Sequence, residues 1–107
     1  MIALNQLSTR KFENAISKGV SIVDFNTPWC VPCRAQEYII AELENLHAGR
    51  ATVATVNIDQ SRKIAMKLEI QSIPTIIIFK DGKEVKRFIG LQTVETLNRA
   101  LKNVLIE

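Results

Sequence analysis

Two cysteines stand two residues apart in Trp29-Cys30-Val31-Pro32-Cys33, and the chain has no others. Such a pair can hold a metal, staple the fold or exchange electrons. A structural zinc site wants four ligands. The chain offers no second cysteine pair, and its one histidine, His47, falls near the far end of the helix expected to follow, where it is expected in solvent, so a metal would have to bridge two chains. A permanent staple gains little, because closing so small a loop hardly restricts the unfolded chain. Redox exchange suits the setting best. Val20 to Asn26 (VSIVDFN) is rich in β-branched and aromatic residues and predicts a buried strand. The residues after the pair predict a helix. Cys30 then falls at a helix N-terminus, where unpaired N–H groups and the helix dipole favour a thiolate, the species that attacks a disulfide. Pro32 fits the first helical turn, where its missing N–H costs nothing. Cys33, one turn inward, is expected to be shielded and to resolve the mixed disulfide.

The elements that must position this pair can be read in both directions from it. Upstream, residues 2–5 (IALN) suggest a short edge strand, and Ser8 or Thr9 can cap a helix running to about Lys18, with Phe12 and Ile16 on its buried face. Downstream, RAQEYIIAELENLHAG is a long helical pattern in which Ile39, Leu43 and Leu46 recur at helical spacing. ATVATVNID predicts a third strand, and a short helix carries Ile64 and Leu68. Thr75 to Lys80 is nearly all apolar, as a centrally placed strand would be. Asp81-Gly82 supplies a two-residue hairpin turn into Lys83–Ile89, and Thr93 caps a last helix with Val94, Leu97, Leu101 and Val104 or Leu105 facing inward. The order is β-α-β-α-β-α-β-β-α. Helices between the early strands require parallel crossovers and the final hairpin is antiparallel, so an α/β fold with a mixed sheet covered on both faces follows.

Composition narrows the function classes. A length of 107 residues predicts a single domain spanning 1–107. Basic residues give a net charge of +3 but occur singly or in pairs such as Arg10-Lys11, Arg62-Lys63 and Lys86-Arg87. No basic stripe of the kind that tracks a phosphate backbone is present, so no nucleic-acid partner is expected. Ile76-Ile77-Ile78-Phe79 is far shorter than the roughly 20 residues of a spanning helix, and no membrane association is expected. The first residues do not read as a signal peptide. A cytoplasmic location is therefore expected, where a lasting structural disulfide is disfavoured.

VDFNTPWCVPC, the Ile73-Pro74-Thr75 segment and the later Gly90 together resemble the thioredoxin family, and the similarity spans essentially the whole chain. The resemblance implies the thioredoxin fold: a central five-stranded mixed sheet of order 1-3-2-4-5 flanked by four helices. It implies a thiol-disulfide oxidoreductase that reduces protein disulfides, with Cys30 as nucleophile and Cys33 as resolving thiol. The working group would be the redox-active disulfide Cys30–Cys33, with no bound cofactor and no metal. Asp24 matches the family's buried aspartate, which accepts a proton from the resolving thiol. Pro74 matches its cis-proline. Trp29, Val31, Pro32, Ile73, Pro74 and Gly90 would line the groove for substrates. The partners implied are disulfide-containing proteins and a thioredoxin-reductase-type flavoprotein, and nothing suggests more than a monomer. The residues themselves lend support, since aspartate is depleted in strands yet Asp24 interrupts one, and burial without a partner would raise its pKa.

The sequence also departs from the family pattern. Val31 stands in place of the usual glycine, Asn26 in place of a second tryptophan, Tyr38 in place of a helix-kinking proline, and Thr55 in place of a lysine beside the buried aspartate. Losing that cation should raise the proton affinity of Asp24. Pro32 favours the reducing direction over the alternatives, a disulfide isomerase or oxidase. A non-catalytic binding module using the groove is the reading from a different class.

Overall fold

The computed structural model describes residues 2–3 and 8–107. Strand β2 (Val20–Asn26) lies at the heart of a mixed sheet whose order is β1-β3-β2-β4-β5. It runs parallel to β3 (Ala51–Asn57), with Asn26 opposite Asn57 at their C-terminal ends, and antiparallel to β4 (Thr75–Lys80). Strand β4 in turn pairs antiparallel with β5 (Lys83–Ile89). At the other edge, β1 (Ile2–Ala3) pairs parallel with β3; the rest of the strand expected over 2–5 lies outside the described residues. Among the described residues four helices, α1 (Thr9–Ala15), α2 (Val31–Leu46), α3 (Arg62–Lys67) and α4 (Val94–Leu105), complete the α/β architecture.

Alternation along the strands divides the interior into two cores, because successive side chains of a strand point to opposite faces. Val23 and Phe25 pack with Phe12, Ile16, Ile64 and Phe79 beneath α1 and α3. The Phe12 ring meets Phe79 edge-on, with centroids 6.0 Å apart. Val20 and Ile22 face the other way and pack with Ile40, Leu43, Leu97 and Leu101 of α2 and α4. Asp24 shares the parity of Ile22, so its carboxyl is aimed at the face that α2 covers.

Local chemistry sets the helix ends. Ser8 Oγ accepts from Lys11 N at 3.2 Å and starts α1. That helix stops at Ala15, short of the expected Lys18, because Ser17 N donates to Asn14 O and tightens the last turn. Thr93 Oγ1 accepts from Thr96 N at 3.1 Å and caps α4. The hairpin turn forms at Asp81 and Gly82, both with positive φ, of 50° and 83°. Strand β5 closes the sheet, and Lys83, Glu84, Val85 and Lys86 along it are exposed.

Two expectations about α2 are corrected. Its buried face is Cys33, Gln36, Ile40 and Leu43, while Ile39 is half-buried and Leu46 is exposed. The polar Gln36 displaces the apparent apolar stripe by part of a turn. His47 was expected in solvent; it is buried, and its Nε2 lies 2.6 Å from Asn98 Oδ1 of α4. An imidazole closing a helix over a neighbouring helix is shielded whenever that neighbour offers it a partner.

Candidate redox site

The C-terminal ends of β2 and β3 lie side by side, and the segment leaving β2 carries the cysteines straight into α2. Cys30 occupies the N-cap of α2 with extended backbone, φ −90° and ψ 116°, and Pro32 falls within the first turn. Its sulfur accepts from Cys33 N at 3.3 Å. This N–H and the positive end of the helix dipole thus both face Cys30 Sγ, an arrangement that favours the thiolate once the pair is reduced. Cys30 and Cys33 are joined as a disulfide, with Cα atoms 5.2 Å apart. Cys30 retains 7% exposure and Cys33 only 2%, so an incoming sulfur meets Cys30 first.

The other residues singled out in the sequence divide into those at the pair and those behind it. The Ile73–Pro74 peptide is cis, and Ile73 O lies 4.0 Å from Cys30 Sγ. Gly90 N donates to Pro74 O at 2.8 Å, which brings the loop after β5 to the same place. Trp29 and Val31 stand out from the surface at 70% and 65% exposure, as the rim of an apolar surface beside the sulfurs. Pro32 is exposed and Pro74 buried.

Asp24 lies behind the pair with no exposed surface. Its Oδ2 accepts from Asn26 Nδ2 at 3.4 Å, while Oδ1 has no hydrogen-bond partner among the described residues. Burial pushes its carboxyl up to about 7; the Asn26 hydrogen bond opposes this, and the charge of Glu37 adds to it. Thr55, directly opposite Asp24 on β3, supplies no cation. An open depression of about 310 Å³ runs between α2 and the ends of β2 and β3, lined by Asn26, Cys33, Glu37, Thr55 and Asn57 among others. Asn26 both lines this depression and hydrogen-bonds Asp24.

Several residues of the site were missed in the sequence. Asp59 Oδ2 accepts from Trp29 Nε1 at 2.9 Å and fixes the indole while leaving its face free. A signal existed, since parallel β2 and β3 end in register and the residues just beyond both ends must be neighbours. Glu37 carries no signal of its own in the sequence, and only the fold sets its charge near Asp24. Gln36 was absorbed into a helical pattern without comment. Among the described residues no three His, Cys, Asp or Glu side chains gather as a metal site, and no helix is long and apolar enough to cross a membrane.

A mixed α/β sheet with a disulfide capping the helix that follows its central strand defines a protein built for thiol-disulfide exchange. Comparison with known proteins narrows this. The thioredoxin family model matches residues 3–103. Thioredoxin from Staphylococcus saprophyticus is 34% identical over 101 residues, covering 94% of this chain and 97% of its own length. Thioredoxin from Staphylococcus haemolyticus is 35% identical over 100 residues, covering 94% of this chain and 96% of its own. A mutant thioredoxin from Halobacterium salinarum superimposes with a TM-score of 0.88 at 24% identity, over 97% of this chain and 89% of that one. The chain belongs to the thioredoxin family. It is a thiol-disulfide oxidoreductase that reduces protein disulfides through Cys30 and Cys33.

Proposed function

We propose that Cys30 is the nucleophile, Cys33 the resolving thiol and Asp24 the base that serves it, in one domain spanning 1–107. The Cys30 thiolate attacks a substrate disulfide, forming a mixed disulfide and releasing one substrate thiolate. Cys33 gives its proton to Asp24 and attacks Cys30 Sγ, releasing the second substrate thiolate and closing the Cys30–Cys33 disulfide. Two electrons pass to the substrate. A thioredoxin-reductase-type flavoprotein returns them, and the chain itself holds no cofactor and no metal. Trp29, Val31, Pro32, Ile73, Pro74 and Gly90 form the groove in which a disulfide-bearing protein segment lies. The protein acts as a cytoplasmic monomer, with neither nucleic acid nor membrane as partner.

The observation that carries this reading is the Cys33 N–H directed at Cys30 Sγ at the helix N-cap. A donor placed there favours charge on the outer sulfur over the inner one, which supports Cys30 as attacker and Cys33 as resolver. The deciding experiment is the reduction potential of the pair, followed through the fluorescence of Trp29. Thioredoxins lie near about −270 mV, and isomerising or oxidising relatives at roughly −180 to −120 mV. A value near the first figure is expected; one in the upper range would assign disulfide formation or shuffling instead.

A further inference from the structure

Gln36 lies one turn beyond Cys33 on the buried face of α2 and has no exposed surface. Burying a primary amide is costly unless its donors and acceptor find partners. Here both partners belong to one residue: Gln36 Oε1 accepts from Gln92 N at 2.8 Å and Gln36 Nε2 donates to Gln92 O at 3.1 Å. The side chain pairs with the Gln92 backbone much as a neighbouring strand would, in a segment that belongs to neither β5 nor α4. The side-chain Nε2 of Gln92 in turn donates to Gly90 O at 3.2 Å and Ile89 O at 3.4 Å. Gly90 N reaches Pro74 O at 2.8 Å, and Ile73 O stands 4.0 Å from Cys30 Sγ. A chain of contacts thus leaves the redox helix at Gln36, crosses the 90–92 segment and ends beside the outer sulfur. Ile89, which ends β5 opposite Thr75, and Leu91, in the segment that follows, are both exposed beside it.

We propose that Gln36 is a positioning residue for protein substrates: it fixes the Gly90–Gln92 wall relative to the Cys30–Cys33 pair and so sets affinity for an extended protein segment. This rests on the groove reading given above. Gln36 touches neither sulfur, so its contribution is separable from thiol reactivity. The apolar isostere Gln36→Leu removes both bonds at nearly constant volume. Steady-state reduction of insulin would be compared with reduction of bis(2-hydroxyethyl) disulfide, which is too small to span the groove, with dithiothreitol recharging the protein well below its melting temperature. Losing two neutral hydrogen bonds should raise KM for insulin about tenfold, with the small-disulfide rate altered by less than about twofold. An equal fall in both rates, or an unchanged KM, would overturn the proposal.

Gln36→Glu gives an independent readout. Its carboxylate can accept from Gln92 N but cannot donate to Gln92 O, whereas the protonated acid can do both. Its KM relative to the parent protein should therefore fall toward unity as pH is lowered, and a pH-independent ratio would count against the proposal. Trp29→Ala separates the two levels. A raised KM there with an unchanged KM in Gln36→Leu overturns the role of Gln36 alone. Unchanged values in both variants overturn the groove reading and the proposal with it.

Discussion

A carboxyl with no exposed surface, one neutral hydrogen-bond donor and an anionic neighbour holds its proton to about 7. In the unfolded chain the same group would lose that proton near its ordinary 3.8. The folded state therefore binds the extra proton between these values, and stability falls as pH rises from about 4 to 7. Replacing Asp24 by Asn removes the penalty. The stability advantage of Asp24→Asn should grow by up to about 4 kcal/mol between pH 4 and pH 8. Urea unfolding of the oxidised proteins at several pH values would show it, and a gap independent of pH would mean that Asp24 does not titrate in this window. The same substitution should slow resolution of the mixed disulfide above pH 7, where the parent carboxylate is free to accept the proton. Cys33→Ser should halt the reaction at the mixed disulfide, detectable as a covalent adduct with insulin, while Cys30→Ser should form none. An adduct through Cys33 in the Cys30→Ser protein would reverse the assigned roles.

Among the elements, α4 depends on its cap most visibly. Thr93 Oγ1 satisfies Thr96 N where the Gln92 segment turns into the helix, so Thr93→Ala should cost about 1 kcal/mol in denaturant unfolding. Strands, hairpin and caps were legible because their signals are local. VSIVDFN, Asp81-Gly82, Ser8 and Thr93 each carry their own stereochemical reason. The inner face of α2 was not. Gln36 and His47 interrupt its apolar spacing, and each is buried with a hydrogen bond to a distant residue, Gln92 for the one and Asn98 for the other. Periodicity reads hydrophobicity along one element and is blind to partners more than fifty positions away. At the site the cysteines declared themselves by spacing, and Asp24 by standing where strands seldom carry a charge. Asp59 and Glu37 became part of it only through the register of β2 with β3 and the fold of α2 over them.

Across the whole molecule the sheet keeps two cores apart. Ile64 packs under one face and Ile40 under the other, in clusters with no common member. Each Ile→Val change should cost about 1 kcal/mol, and the double variant should equal the sum within about 0.5 kcal/mol. A larger discrepancy in chemical denaturation would show that the sheet transmits repacking from face to face. The redox pair sits at one end of this sheet, while one long side of it ends at β5. Backbone groups along that margin are a template onto which another chain could stack. Lys83, Glu84 and Lys86 along it are exposed, so a second copy approaching edge to edge would have to strip these charges of water. Charged side chains of this kind guard a sheet edge against stacking, and an exposed apolar patch lies instead around Trp29 and Val31, beside the redox pair.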